Sequence, residues 1–426
     1  MQQRFMTGFE RQPKRLAAQV VARWMTGWIV GAAWCVAPAA WAAWDATASE
    51  SISHVDNLLR SESGQERADT FQTTTLGLGA DLTWSRQRLR LDTQAAFNRY
   101  QQFSDRDSTN TNTSLAWSWQ TVGALSGSVS AFRNRSQYQY TGLLDTEQAA
   151  YSTQQGTSAS LRLGAGGPWS ASVSSSHSRS SYSLAALNAQ AGQQNATSLS
   201  VGYRTGPHGQ VQWVNSRSVT ESQGQVNGVT PRSTQTSSQL TFDYIHSPKT
   251  NWHLNWGRSV GVSSMGQRTP SNVGGVNLSW QPTAKLSVGM GWQRDTRSSQ
   301  STIQTLAPGD TAEDPLQVIT TGLLNEGVTT STRLNLGWAV SVRSNLGLSY
   351  NDVRTSSASL VVNGALLDVS ASRSRQMALS WSHTLSRAWS MSCSLTRERL
   401  SVSEASTLGH AYTARTTACS LSLRLQ

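Results

Sequence analysis

Charge is the first thing this chain is short of. Asp, Glu, Lys and Arg make up 14% of its 426 residues, where a soluble domain carries about a quarter. Lysine is nearly missing, with only Lys14, Lys249 and Lys285. Three cysteines are too few for a disulfide-framework scaffold. After Ala43 no uninterrupted apolar run reaches helix-spanning length, so the chain beyond that point has no transmembrane helix. Chemistry is sparse too. The seven histidines are scattered, no pair has zinc-ligand spacing, and there is no Gly-x-Ser-x-Gly elbow. The glycines at Gly164, Gly166 and Gly167 sit between strand-like segments, with no helix to cradle a phosphate. No catalytic residue, metal site or cofactor is expected.

What fills the chain instead is Ser, Thr, Gln, Asn and Gly, together with 17 tryptophans. Small polar residues and many Trp suit a wall with lipid on one side and water on the other. Residues 1–42 read as a signal peptide. Arg4, Arg11, Lys14, Arg15 and Arg23 precede the apolar run Trp24 to Val36, and Ala40-Trp41-Ala42 has the small-x-small form of a cleavage site. A retained N-terminal anchor is the alternative. Residues 43–426 then form one domain. If it enters a membrane it must do so as a closed sheet, because an open edge in lipid leaves backbone groups unpaired.

The stretch from Thr70 to Tyr100 sets the pattern. Leu76, Leu78, Ala80, Leu82 and Trp84 alternate with Thr75, Gly77, Gly79, Asp81 and Thr83, and after Ser85-Arg86-Gln87 the alternation resumes with Leu89, Leu91, Thr93, Ala95 and Phe97. That is a hairpin with one oily and one polar face. Eighteen such strands follow, at about 46–57, 70–84, 88–101, 109–119, 124–134, 151–163, 169–179, 196–204 and 210–219. The others lie at 234–244, 251–261, 272–281, 286–295, 329–339, 344–354, 372–382, 388–398 and 411–425. Short connections around Ser85, Val122, Gly166, Pro207, Pro248, Pro282, Val342 and Thr384 alternate with mostly longer ones. Aromatic residues flank every short turn: Trp84, Trp119, Trp169, Tyr203, Tyr244, Trp252, Trp280, Trp338, Trp381 and Trp389. Short periplasmic turns with an aromatic belt, opposite longer external loops, describe an all-β, antiparallel up-and-down transmembrane barrel of the bacterial outer membrane.

If the oily phase faces lipid, the opposite phase puts Arg90, Arg162, Arg204, Arg333 and Arg424 in the lumen with Asp81, Asp92 and Asp243. Arg162, Arg333 and Arg424 are candidates for a cationic substrate track, whereas Arg90 with Asp81 and Asp92 reads as ion pairing along the wall. The connection at 296–328 carries Asp310, Glu313, Asp314 and Glu326 and the breakers Pro308, Gly309 and Pro315. It reads either as an inward constriction or as a surface loop. Cys393 and Cys419 fall nearly opposite one another on the last two strands. They are either a cross-strand disulfide or two free thiols. Net charge is +11, of which +7 remains once the leader's five basic residues and Glu10 are removed, and of the 30 basic residues left 28 are Arg. Arginine suits carboxylate and phosphate. The partners this suggests are outer-membrane lipid, lipopolysaccharide phosphates and anionic polysaccharide, with no nucleic acid.

The segment Ser53-His54-Val55-Asp56-Asn57-Leu58-Leu59-Arg60, followed by Asp69-Thr70 and by Arg88, Leu91, Tyr100 and Phe103, resembles the N-terminal part of the EpsL-type outer-membrane proteins of exopolysaccharide biosynthesis systems. The similarity covers about residues 48–103. It implies a channel exporting an extracellular polysaccharide together with periplasmic export components. The same barrel would equally serve as a diffusion porin for small solutes, or as a non-conducting structural or adhesive barrel.

Overall fold

The computed structural model describes residues 41–425 except 139–149, 165, 185–190, 224–229, 231, 264–265, 267, 308–316, 357, 363–364, 370 and 403–410. At 41–42, 297–307, 317–326, 358–362 and 365–369 only the backbone is described. Residues 1–40 of the expected leader thus lie outside the described residues. Its last two, Trp41 and Ala42, open the first strand and pair with Thr83 and Leu82.

Alternating apolar residues would spiral around a helix but line one face of a strand, so these segments extend. The first ten strands are β1 (Trp41–Val55), β2 (Asp69–Trp84), β3 (Gln87–Tyr100), β4 (Ser108–Gln120), β5 (Ser126–Gln137), β6 (Tyr151–Leu163), β7 (Trp169–Tyr182), β8 (Gly192–Arg204), β9 (Gly209–Ser222) and β10 (Arg232–Ser247). The remainder are β11 (Thr250–Ser263), β12 (Arg268–Thr283), β13 (Leu286–Ala307), β14 (Gln317–Ala339), β15 (Ser344–Thr355), β16 (Ala358–Val362), β17 (Ala365–Val369), β18 (Ser372–Thr384), β19 (Trp389–Val402) and β20 (Tyr412–Leu425). Each strand of the large sheet pairs antiparallel with its neighbours, and β1 pairs with both β2 and β20, closing an 18-stranded barrel. The short β16–β17 hairpin stands apart, within the connection from β15 to β18. A strand spacing of 4.8 Å and a tilt near 40° give a backbone radius of about 18 Å.

Register fixes the two faces. Leu82 opposes Leu89, Leu89 opposes Trp117, and Trp117 opposes Val129, so the apolar phase continues from strand to strand. Its partner phase runs Asp81, Arg90, Ala116, Ser130 and Ser158. Apolar residues do not meet across a dry interior. Leu76, Leu115, Val173, Leu240, Met377, Leu395 and Leu421 are all exposed, and the buried apolar residues among those described are few and mostly small. An apolar face this extensive on a closed sheet belongs against hydrocarbon, with the polar phase enclosing water.

The expected aromatic residues lie on the apolar phase beside the short turns. Trp169 packs against Tyr203 in a tilted arrangement, 4.7 Å between ring centres, and the Trp119 ring occupies the space that a side chain at Gly127 would need. Cys393 and Cys419 are directly opposed on β19 and β20 and bonded as a disulfide. They share the outward phase with Leu395 and Leu421.

One expectation is corrected. Residues 296–328 are not an irregular loop, because the β13–β14 ladder continues to Ala307 opposite Gln317, leaving only 308–316 as the connection, outside the described residues. Pairing of β13 with β12 stops at Arg294, so beyond that point the hairpin is held by the β13–β14 ladder and no longer by β12. Thr296-Arg297-Ser298-Ser299-Gln300 shows no apolar alternation, so the sequence carries no strand signal there. At its base, Gln235 of β10 donates to the Thr296 carbonyl (3.0 Å) and hydroxyl (3.2 Å), across two intervening strands. The acidic residues Asp310, Glu313 and Asp314 fall outside the described residues.

Two measurements follow from this architecture. Leu395→Arg should destabilise the folded barrel in bilayers by about 2–4 kcal/mol in urea titrations, the cost of a guanidinium on the lipid face, while Ser394→Arg, one residue away, should cost under about 1 kcal/mol; equal costs would reverse the face assignment. Replacing both Cys393 and Cys419 by Ser should lower stability by up to about 3.5 kcal/mol, the chain-entropy value for a loop of this length, with an unchanged fold by circular dichroism.

Candidate functional site in the barrel lumen

Because side chains alternate, the lumen wall is made of whatever the sequence places between its leucines and tryptophans. Over β5 to β10 and again at β19 and β20 serine recurs at these positions. Hydroxyls pair across adjacent strands at Ser128–Ser160 (2.8 Å), Ser130–Ser158 (2.7 Å), Ser172–Ser200 (2.6 Å), Ser174–Ser198 (2.7 Å), Ser216–Ser237 (2.7 Å) and Ser392–Ser420 (2.8 Å). These short side chains stiffen the wall, leave the bore wide and retain hydrogen-bonding capacity toward water.

Lumenal charges are mostly paired. Arg90 binds Asp92 two residues along the same strand, at 2.7 Å. Asp81, opposite Arg90 in register, instead binds Arg88 in a tight fork. The residues expected to pair therefore do so in a different combination, because a diagonal contact reaches further along the strand than a direct one for a side chain as long as arginine. Asp243 accepts a 2.6 Å contact from His253, and Arg424 lies 3.7 Å from Asp45.

Arg162, Arg333 and Arg424 do not form a contiguous track. They sit on β6, β14 and β20, separated in each direction by several strands. Arg333 is the one with a defined setting. It lines a concavity of ≈ 430 Å³ with Asp243, Asn251, His253, Asn277 and Asn335, spanning β10 to β14. Gly289 and Gly291 leave room for this recess: a Cβ at Gly291 would come within 2.5 Å of the Asn277 amide oxygen. Sequence reading named Arg333 and Asp243 but missed His253, Asn277 and Asn335. Their signal was the strand phase, which places all of them with Arg333.

The segment around residues 53–103 has a structural role at the rim. Asn57, fully buried, donates to the carbonyls of Ser61 (2.8 Å) and Thr413 (3.1 Å) and accepts from the Ser61 amide. Asp69, also buried, accepts from the amides of Thr70, Gln102 and Phe103. Arg60 reaches Glu398 on β19 at 3.4 Å, and the Arg67 guanidinium lies 5.0 Å above the Phe103 ring. Together these contacts fold the β1–β2 connection over the closure between β1 and β20. Among the described residues no group of three or more His, Cys, Asp and Glu is placed to hold a metal.

No protein-family model and no curated protein sequence matches the chain. Solved structures do. An apoprotein form of the FrpB iron transporter of Neisseria meningitidis (F5-1 variant) aligns at 8% identity over 90% of this chain and 81% of that one, with a TM-score of 0.51. The F3-3 variant of the same transporter aligns at 10% identity over 85% of this chain and 63% of the other, with a TM-score of 0.50. The outer-membrane channel DcaP of Acinetobacter baumannii aligns at 9% identity over 92% and 99%, with a TM-score of 0.46. At these identities the likeness is one of fold. The EpsL-type resemblance is corrected by it: the two of these structures that align at a TM-score of 0.50 or above are barrels of an iron transporter, and the exopolysaccharide-export reading falls with the resemblance. The chain is an all-β, 18-stranded closed antiparallel barrel of the outer-membrane type.

Proposed function

We propose that this protein is a water-filled channel through which small polar solutes diffuse across the outer membrane. The observation that carries the reading is the lumen wall, a closed 18-stranded surface of paired serine hydroxyls on which nearly every acid is matched by a base. Such a wall offers water and sugars many exchangeable hydrogen bonds and no deep electrostatic well, so solutes enter without being trapped. Strand number supports the same reading. Barrels of 16 to 18 strands leave an aqueous bore, whereas transporters with a plugged lumen are built from 22.

Within the channel, the recess beside Arg333 is the place where solutes would meet a charge. Its guanidinium, the Asn277 and Asn335 amides and the Asp243–His253 pair give a mixed donor and acceptor surface, suited to weak contact with hydroxylated or anionic small molecules.

Reconstituted protein should conduct in planar bilayers, and proteoliposomes containing it should swell in isotonic solutions of small neutral sugars. Closed behaviour in both assays would overturn the proposal. Arg333→Glu should lower the anion-to-cation permeability ratio by about twofold at low salt, with the effect shrinking as ionic strength rises because a wide bore is screened. Reversal-potential measurements in a salt gradient read this directly.

A further inference from the structure

The apolar phase of the wall carries an unexpected charge cluster. On the half of the barrel next to the longer connections, six arginines occupy outward positions on four consecutive strands: Arg354 on β15, Arg373 and Arg375 on β18, Arg397 and Arg399 on β19, and Arg415 on β20. They continue the same phase as Leu348, Leu379, Leu395 and Leu421, which lie nearer the short turns. In register Arg354 opposes Arg373, Arg375 opposes Arg399, and Arg397 opposes Arg415. Like charges placed directly across a ladder repel. Three such pairs in one patch need a reason.

Within the chain the compensation is partial. Among the described outward residues of these strands the one carboxylate is Asp352, which is buried and held by Arg373 at 2.5 and 2.8 Å and by Arg354 at 3.5 Å. The Arg375 Nε is buried without a hydrogen-bond partner. Arg397, Arg399 and Arg415 are exposed. Depth matters as much as charge. Arginine on a lipid-facing wall is costly at the midplane and tolerated near the interface, so the patch belongs at the level of the headgroups. On the side of the longer loops that is the outer leaflet, whose lipids carry phosphorylated sugars.

The geometry points to a binding site for the phosphates of an outer-leaflet glycolipid of the lipid A type, seated against β15, β18, β19 and β20 with its acyl chains on the leucines below. Guanidinium forks match phosphate oxygens two at a time, and a bound phosphate lying between opposed arginines converts mutual repulsion into shared attraction. The patch stands where divalent cations would otherwise bridge neighbouring headgroups. It lies on the outer surface, so it is independent of what passes through the lumen.

The test uses the full chain in detergent micelles and lipid A as the probe, read by a fluorescence titration. Wild-type protein should bind lipid A at least tenfold more tightly than the Arg397→Gln, Arg399→Gln, Arg415→Gln triple variant, and tenfold more tightly than it binds fully dephosphorylated lipid A. The triple variant should keep the channel's conductance, which separates loss of this site from loss of the pore. Equal affinity for phosphorylated and dephosphorylated lipid A would overturn the proposal without any variant, so misfolding of the triple substitution cannot shield it. Equal binding of phosphatidylglycerol would overturn it in favour of a general anionic surface, and displacement of lipid A by millimolar inorganic phosphate would reduce the patch to a free-phosphate site.

Discussion

A backbone group in hydrocarbon has no water to fall back on, and every feature of this molecule follows from meeting that demand with a sheet that has no edge. Closure between β1 and β20 is where the sheet would otherwise present two. The chain reinforces that line from both sides. The disulfide joins β20 to β19 on the outward face. On the rim, the connection after β1 is drawn across the joint by Asn57 bonding to Thr413 and by Asp56, which accepts from the Arg415 amide and whose own amide donates to the Arg415 carbonyl. Interactions that would be marginal on a loop elsewhere act here on the ladder that closes the sheet, where the two ends of the strand order meet.

Once the sheet is closed, alternation allocates every side chain to oil or water, and this is why so much was legible. The eighteen spans read from apolar periodicity coincide with the eighteen barrel strands, most within a few residues at either end, because lipid on one face makes the period-2 signal strong. Where lipid is absent, the signal fades. The distal halves of β13 and β14 and the small β16–β17 hairpin lie beyond the band of continuous pairing, and Ser, Thr and Gln on both faces of the 297–307 segment look the same in a strand as in a loop.

Site residues were legible to the extent that phase determines them. Arg333 and Asp243 could be assigned to the lumen from alternation, but the recess they share depends on register across β10 to β14 and on glycines at 289 and 291, and neither is visible in one strand at a time. The pairing of Asp81 with Arg88 rather than Arg90 has the same origin, since a diagonal contact is decided by side-chain reach. The segment at 53–103 shows the converse hazard. Its residues are distinctive, yet Asn57 and Asp69 spend their polar atoms on backbone amides and carbonyls at the rim, so what makes the segment recognisable is architecture.

The distribution of arginine completes the physical picture. Inside, arginines at 88, 90 and 424 have carboxylates of this chain beside them, while Arg162, Arg204 and Arg333 are exposed to the water of the bore. Outside, above the leucines of β18 to β20, three arginine pairs face each other across ladders with a single carboxylate among them. A guanidinium keeps its charge in either setting, so its partner must come from somewhere. In the lumen the chain supplies that partner to Arg88, Arg90 and Arg424 and water screens the others, and on the outer rim the surrounding membrane is the remaining source. One residue type thus serves two ends, paired with acid or screened by water where solutes must pass freely and left short of acid where the barrel must hold its place among anionic lipids.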